Sequence, residues 1–261
     1  MKQSGTKDWS VGQDPQTPVK PREIFRISGW LKSEGGICSI SVVSRDDKGT
    51  TLQWDLGAAE SRGAGWQFVR RGFVIPSGCA TIQFRFIGYG AGQSMLEDPS
   101  LMRVGTAPAP GGKPIELHGK DLKLAIRPDG SILASPSKGK AWQYRPWDAD
   151  YVIRSAKAVD GRTAAIEALD LANDLPLSLR IQVDPDKPEA TVAVEASGPM
   201  QYPVAVPGSL VTEPGQWVVL PMNEGIRFPV EDGAIDGWSM ITYGGHGLCM
   251  PWSGVMDPKT G

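Results

Sequence analysis

Glycine and proline break this chain at intervals of roughly 8–12 residues, the rhythm of a sandwich or barrel of short strands rather than of long helices. The 32 glycines and 22 prolines make up about a fifth of the 261 residues. Between the breaks, apolar residues recur with period two. EIFRISGWLK sets Phe25, Ile27 and Leu31 against Arg26, Ser28 and Trp30, and ATIQFRFIGYG alternates in the same way. Several runs are joined by turn dipeptides that favour tight hairpins: Asp46-Asp47-Lys48-Gly49, Asp129-Gly130, Asp160-Gly161 and Asp184-Pro185-Asp186-Lys187. The Ala-rich stretch Thr163–Asn173 is the one helix candidate, and its flanking turns and alternation of Ala165, Glu167 and Leu169 predict a strand instead. The expected fold class is therefore all-β.

Gly105–Pro114 (GTAPAPGGKP) has no apolar period and reads as a linker. The expected organisation is two β-sandwich domains, 1–107 and 113–261, joined by residues 108–112. A hydrophobic content of 40% supplies real cores, and a net charge of −2 with dispersed Lys and Arg gives no sign of a nucleic-acid groove. No apolar run approaches the roughly 20 residues of a membrane-spanning helix. The polar start, MKQSGTKDWSVGQD, does not itself read as a signal peptide. Cys38, Cys79 and Cys249 form no disulfide framework and no zinc spacing. Cys38 lies in phase with Ile40 and Val42 and Cys79 out of phase with Ile82, so a bridge between them is not favoured and buried thiols are expected.

Ordered along residues 18–104 are Pro21, Phe25, Ser28, Trp30 and Lys32, then Asp46 and Gly49, then Trp66, Pro76 and Gly78, and finally Asp98, Ser100 and Leu101. That order resembles the jelly-roll carbohydrate-binding modules of bacterial glycoside hydrolases. Pro99 departs from the usual valine, and the strands expected before residue 18 are short or missing. The resemblance implies glycan binding by aromatic stacking. The candidate residues are Trp30, which is out of phase with the core set, Trp54 and Tyr89 near turns, and Arg85, which shares a polar strand face with Gln83 and Thr81. Trp54 is also in phase with Leu52 and Leu56, so a core position stays open for it, as it does for Trp66. Asp98 is a candidate ligand for a structural Ca2+ of the kind such modules carry, or a solvated carboxylate at a strand start.

Residues 113–255 are similar to the β-supersandwich of galactose-mutarotase type that precedes the catalytic barrel in endo-α-N-acetylgalactosaminidase-like enzymes. The residues that carry this are PIELHGKDLKLAIRPDGSI, KAWQYRPW, VVLPMNEGIRFPVEDG and GLCMPWSGVMDP. The resemblance implies a catalytic domain elsewhere on the same chain, no bond cleavage by these residues, and a secreted, periplasmic or cell-surface location. Trp142, Tyr144 and Trp147 form the densest aromatic stretch and are a second candidate sugar platform, or else a core strand and turn. His246 with Glu224 is the weaker candidate for a general acid and base of mutarotase or epimerase type. A non-enzymatic adhesion sandwich is the third reading. No G-x-S-x-G, P-loop, H-E-x-x-H or dinucleotide motif occurs. The stretch Gly247–Gly261 reads as a strand followed by a turn at Asp257–Gly261, and is expected to form an unprotected or externally covered edge.

Overall fold

The period-two runs become strands, and the Gly/Pro breaks become their connections. The computed structural model describes residues 2–5, 7–61, 63–147, 150–222, 225–233 and 252–259. In the first part of the chain the strands are β1 (Lys2–Gln3), β2 (Trp9–Gly12), β3 (Thr17–Pro18), β4 (Glu23–Glu34), β5 (Ile37–Arg45), β6 (Thr51–Ser61), β7 (Gln67–Val74), β8 (Thr81–Tyr89) and β9 (Gly92–Thr106). Those before residue 18 are present but short. After them come β10 (Ile115–His118), β11 (Leu122–Ile126), β12 (Ile132–Pro136), β13 (Trp142–Tyr144), β14 (Tyr151–Asp160), β15 (Thr163–Asp170), β16 (Leu175–Val183) and β17 (Ala190–Ala196). The last strands are β18 (Trp217–Leu220), β19 (Ile226–Pro229) and β20 (Gly254–Met256), and the only helical element described is a 3-10 turn at Val230–Asp232. The protein is an all-β sandwich fold. Thr163–Asp170 is a strand, as its alternation predicts.

Two antiparallel sheets, β1-β9-β4-β7 and β2-β8-β5-β6 with β3 beside β8, face each other. Their inner faces interdigitate: Phe25, Ile27, Leu31, Val69 and Phe73 from one meet Cys38, Ile40, Val42, Leu56, Ile82 and Phe86 from the other. Cys38 and Cys79 are buried free thiols, and burial pushes both thiol pKa values up. A second pair, β10-β11-β12-β13 and β14-β15-β16-β17, encloses Leu117, Leu124, Ile126 and Ile132 against Ile166, Leu177, Leu179 and Ile181. The predicted hairpins all form: β5–β6, β11–β12, β14–β15 and β16–β17 pair antiparallel across the named turns.

The two pairs of sheets meet through a third, small apolar cluster of Val74, Ala107, Val152 and Leu171, flanked by Ile24 and Leu169. Gly72 N donates to Leu171 O at 2.9 Å. Asp174 Oδ2 lies 3.2 Å from both Arg26 and Arg70, and Arg71 pairs with Asp150 at 3.1 Å. Arg71 also lies over the Tyr202 ring, 4.9 Å from its centroid.

A three-stranded sheet, β19-β18-β20, closes the described fold. Strands β18 and β19, both within the stretch VVLPMNEGIRFPVEDG, pair antiparallel. The terminal strand begins only at Gly254, after Trp252, which is exposed; Met250 and Pro251 lie outside the described residues. Among the described residues β20 pairs only with β18, so it is an edge.

Candidate functional site

Strand β8 buries Ile82 and Phe86 inward, so Thr81, Gln83, Arg85 and Tyr89 share the opposite face of their sheet. Beside them on β5 stand Arg45, Val43, Ser41 and Ile37, paired with Thr81, Gln83, Arg85 and Tyr89 respectively. Next comes β6, whose register against β5 slips between Ile40 and Val42, between Val42 and Ser44, and between Ser44 and Arg45. Each slip puts an extra residue on β6, and a β-bulge reverses which face the following side chains take. Leu56 stays in the core at 3% exposure, whereas Trp54 turns out to 57%. The shared phase of Leu52, Trp54 and Leu56 is therefore broken, and the core reading of Trp54 is corrected by these bulges.

On that face the polar groups are organised around Arg85. Its Nη2 donates to Asp55 Oδ1 at 2.7 Å and to Trp54 O at 3.0 Å, and its guanidinium carbon lies 5.3 Å from the Trp54 ring centroid. Ser41 Oγ donates to the same Asp55 oxygen at 3.2 Å. Arg45 donates to Thr51 and to Gln83, and Gln83 Nε2 donates to Gln13 O on the far side of the sheet. Tyr89 is exposed at the strand end, roughly 13 Å from Arg85 at 3.3 Å per residue. Partial burial, then the charge of Asp55, hold its phenol above the ordinary value of 10.0, with Asp8 and Glu60 adding to the effect and Arg85 opposing it. The result is a strip with an exposed aromatic at each end and a fixed, mostly buried Arg85 paired with Asp55 between, over the buried Ser41, Val43 and Ile87 of the same face. Such a strip offers flat apolar faces and in-plane donors and acceptors together.

The strip thus gathers Trp54, Arg85 and Tyr89 and adds Asp55, which the sequence reading missed. The available signal was a carboxylate directly after Trp54 on the strand that hairpins back beside Ser41. The other candidates lie elsewhere. Trp30 is exposed on the opposite sheet, where it pairs with Phe68 across β4 and β7 at a ring separation of 5.3 Å. Trp66 is exposed too, against the core reading of it. Trp142 and Tyr144 are half-buried on one face of β13, the edge of its sheet, and residues 209–211 cover that edge through Arg145 N to Ser209 O and Val211 N to Gln143 O.

Trp147 is no platform: it is 4% exposed and belongs to the second core. The strand ends at Tyr144, so Trp147 escapes its period. Its ring fills the space a side chain at Gly130 would need, since a Cβ there would stand 2.8 Å from the indole. Asp98 is exposed at the bulge where β9 slips against β4 between Ser28 and Trp30, with φ 48°. Among the described residues no group of three or more His, Cys, Asp or Glu side chains is placed to hold a metal ion, around Asp98 or elsewhere. His246 and Glu224 lie outside the described residues. His118, the other histidine, is exposed at the end of β10. No helix among the described residues is long and apolar enough to cross a membrane.

Fold and site together define an all-β sandwich protein with an aromatic and charged sheet face. No family model matches the chain, and no curated protein matches it. Among solved structures it is similar to a "Family 16 Carbohydrate Binding Module-2", with 17% sequence identity and a TM-score of 0.31, over 39% of this chain and 74% of that one.

Proposed function

We propose that this chain is a carbohydrate-binding accessory region of a glycoside hydrolase, with a binding module over 1–107, a linker over 108–112 and a supporting β-supersandwich over 113–261. The observation that carries the binding half is Trp54. One face of its ring is against Arg85, and 57% of the residue remains exposed. A pyranose stacks its C–H face on the free side, while Asp55, Arg85 and Gln83 reach its hydroxyls and Tyr89 holds the next unit. Binding of this kind is weak and reversible. The supporting role rests on the resemblance of residues 113–255 to supersandwiches that stand before a catalytic barrel, and the test of it is whether the natural reading frame runs past Gly261 into several hundred residues of alternating strands and helices.

The test is calorimetric titration with neutral oligosaccharides. Trp54→Ala is expected to weaken binding about tenfold, the scale of one lost stacking contact. Arg85→Ala also weakens it, because Asp55 then loses its partner, while Trp30→Ala on the opposite sheet leaves it unchanged. Absence of any glycan binding at high protein concentration, or equal binding by Trp54→Ala, sinks the proposal.

A further inference from the structure

A cleft of about 640 Å³ opens where the two pairs of sheets meet, walled by the turn at Pro21 and Arg22, the 107–113 connection, the β11–β12 turn and the start of β14. Its charged lining is one-sided. Arg22, Lys113, Arg127 and Arg154 line it, against the single carboxylate of Asp129. None of the four cations has a carboxylate partner among the described residues. Asp129 is occupied by its own turn, accepting from Ser131 N at 2.9 Å and from Ser131 Oγ at 2.7 Å.

Arg22 is fixed in the wall of the cleft by backbone and side-chain hydrogen bonds. Its backbone sits at φ 73°, a left-handed conformation uncommon for a side chain of this size. Three bonds fix it there: its N donates to Ile75 O at 2.8 Å, its O accepts from Ala107 N at 2.8 Å, and its Nε donates to Ala107 O at 3.2 Å. Both Nη groups remain unpartnered among the described residues. Trp147 lines the same cleft, and its buried indole Nε1 has no hydrogen-bond partner. Positive groups gathered in a concavity focus the field and raise the local concentration of anions. A volume of this size suits a small organic ligand rather than a single inorganic ion.

We propose that this cleft is a second binding site, separate from the Trp54 face, for an acidic oligosaccharide whose carboxylate or sulfate groups meet Arg22, Lys113, Arg127 and Arg154. Arg supplies forked donors that match either group.

The experiment uses the whole chain in the Trp54→Ala background, so that the sheet face does not contribute. Trigalacturonate and a sulfated trisaccharide are titrated separately, with a neutral trisaccharide beside them. Binding of at least one acidic probe, none of the neutral one, and weakening as ionic strength rises are expected. Which acidic probe binds tells carboxylate from sulfate recognition. Arg127→Ala and Arg154→Ala, both at exposed positions, should each weaken binding about tenfold, as expected for one charge-assisted hydrogen bond. Arg22→Ala also removes a structural bond and is left out. No binding of either acidic probe, equal binding of the neutral one, or unchanged affinity in both variants overturns the proposal. Failure of neutral glycans to bind the Trp54 face would leave it standing.

Discussion

Asp170 is 1% exposed, and a carboxylate that deep is stable only if its oxygens are occupied. They are. Oδ1 accepts from Ala172 N at 2.8 Å and Asn173 N at 3.2 Å, and Oδ2 from Asn173 Nδ2 at 2.6 Å. Asn173 passes the organisation on, its Oδ1 accepting from Gln201 N and Tyr202 N. One side chain therefore shapes the β15–β16 turn and the segment laid over it. Asp170→Ala orphans a buried amide and frees Asn173, so a loss of about 3 kcal/mol is expected in denaturant unfolding. Asp170→Asn keeps one acceptor oxygen for the amides and should lose about 1 kcal/mol. Equal losses for the two variants would show that the amide contacts do not carry the effect. Nothing in the local sequence marks Asp170 as buried: the stretch ALDLAND reads as an ordinary strand end and turn. Its own partners are local, but the segment at 201 and 202 that Asn173 holds over it is remote, so its burial is decided by packing.

At the level of strands, legibility was high where a turn dipeptide bounds a run of period two. Such a hairpin needs only local chemistry. Legibility failed where a bulge shifts the period, at Trp54, and where a strand stops early, before Trp147. Two of the legible turns also carry a charge effect. Asp160 Oδ1 accepts from Arg162 N at 2.7 Å, and Asp184 Oδ1 accepts from Asp186 N and Lys187 N at 2.8 and 2.9 Å. These backbone bonds hold both carboxyls below the ordinary 3.8. A carboxyl with a lowered folded pKa binds fewer protons folded than unfolded. Its contribution is complete above 3.8 and is lost as pH falls from there through the lowered value. Both groups are fully exposed, so each contribution is small and screened. The double variant Asp160→Asn/Asp184→Asn should therefore show a shallower acid-side fall in Tm than the native chain, and the same slope near neutrality. An unchanged acid limb would mean that these turns titrate alike folded and unfolded.

Across the whole molecule, the question is what couples the two cores. The apolar contact between them is small, four buried residues, and interfaces of modest size permit relative motion. The three ion pairs there are partly exposed, with side-chain exposures of 23–45%, and such pairs contribute roughly 0–1 kcal/mol each. Beside these terms stand the contacts of Tyr202 with Arg70 and Arg71 and a close backbone fit at Gly72. Leu171 O accepts its N–H, and a Cβ there would stand 2.7 Å from that same oxygen. No rotamer relieves a contact with backbone, so Gly72→Ala must push the β15–β16 turn off the sheet. That would loosen Asp174 from Arg26 and Arg70 in the same movement. The native chain is expected to melt in one transition, because opening the junction and unfolding either core are coupled. Gly72→Ala should melt in two, with the cost at the junction in the range of about 1–3 kcal/mol typical of overpacking. The cleft lies at this same junction, so the variant should also weaken acidic-oligosaccharide binding while leaving the Trp54 face intact. Calorimetry that shows a single transition at the native Tm for Gly72→Ala would place the coupling elsewhere. The contacts of Tyr202 with Arg70 O and the Arg71 guanidinium would then be the part of the junction left to hold it.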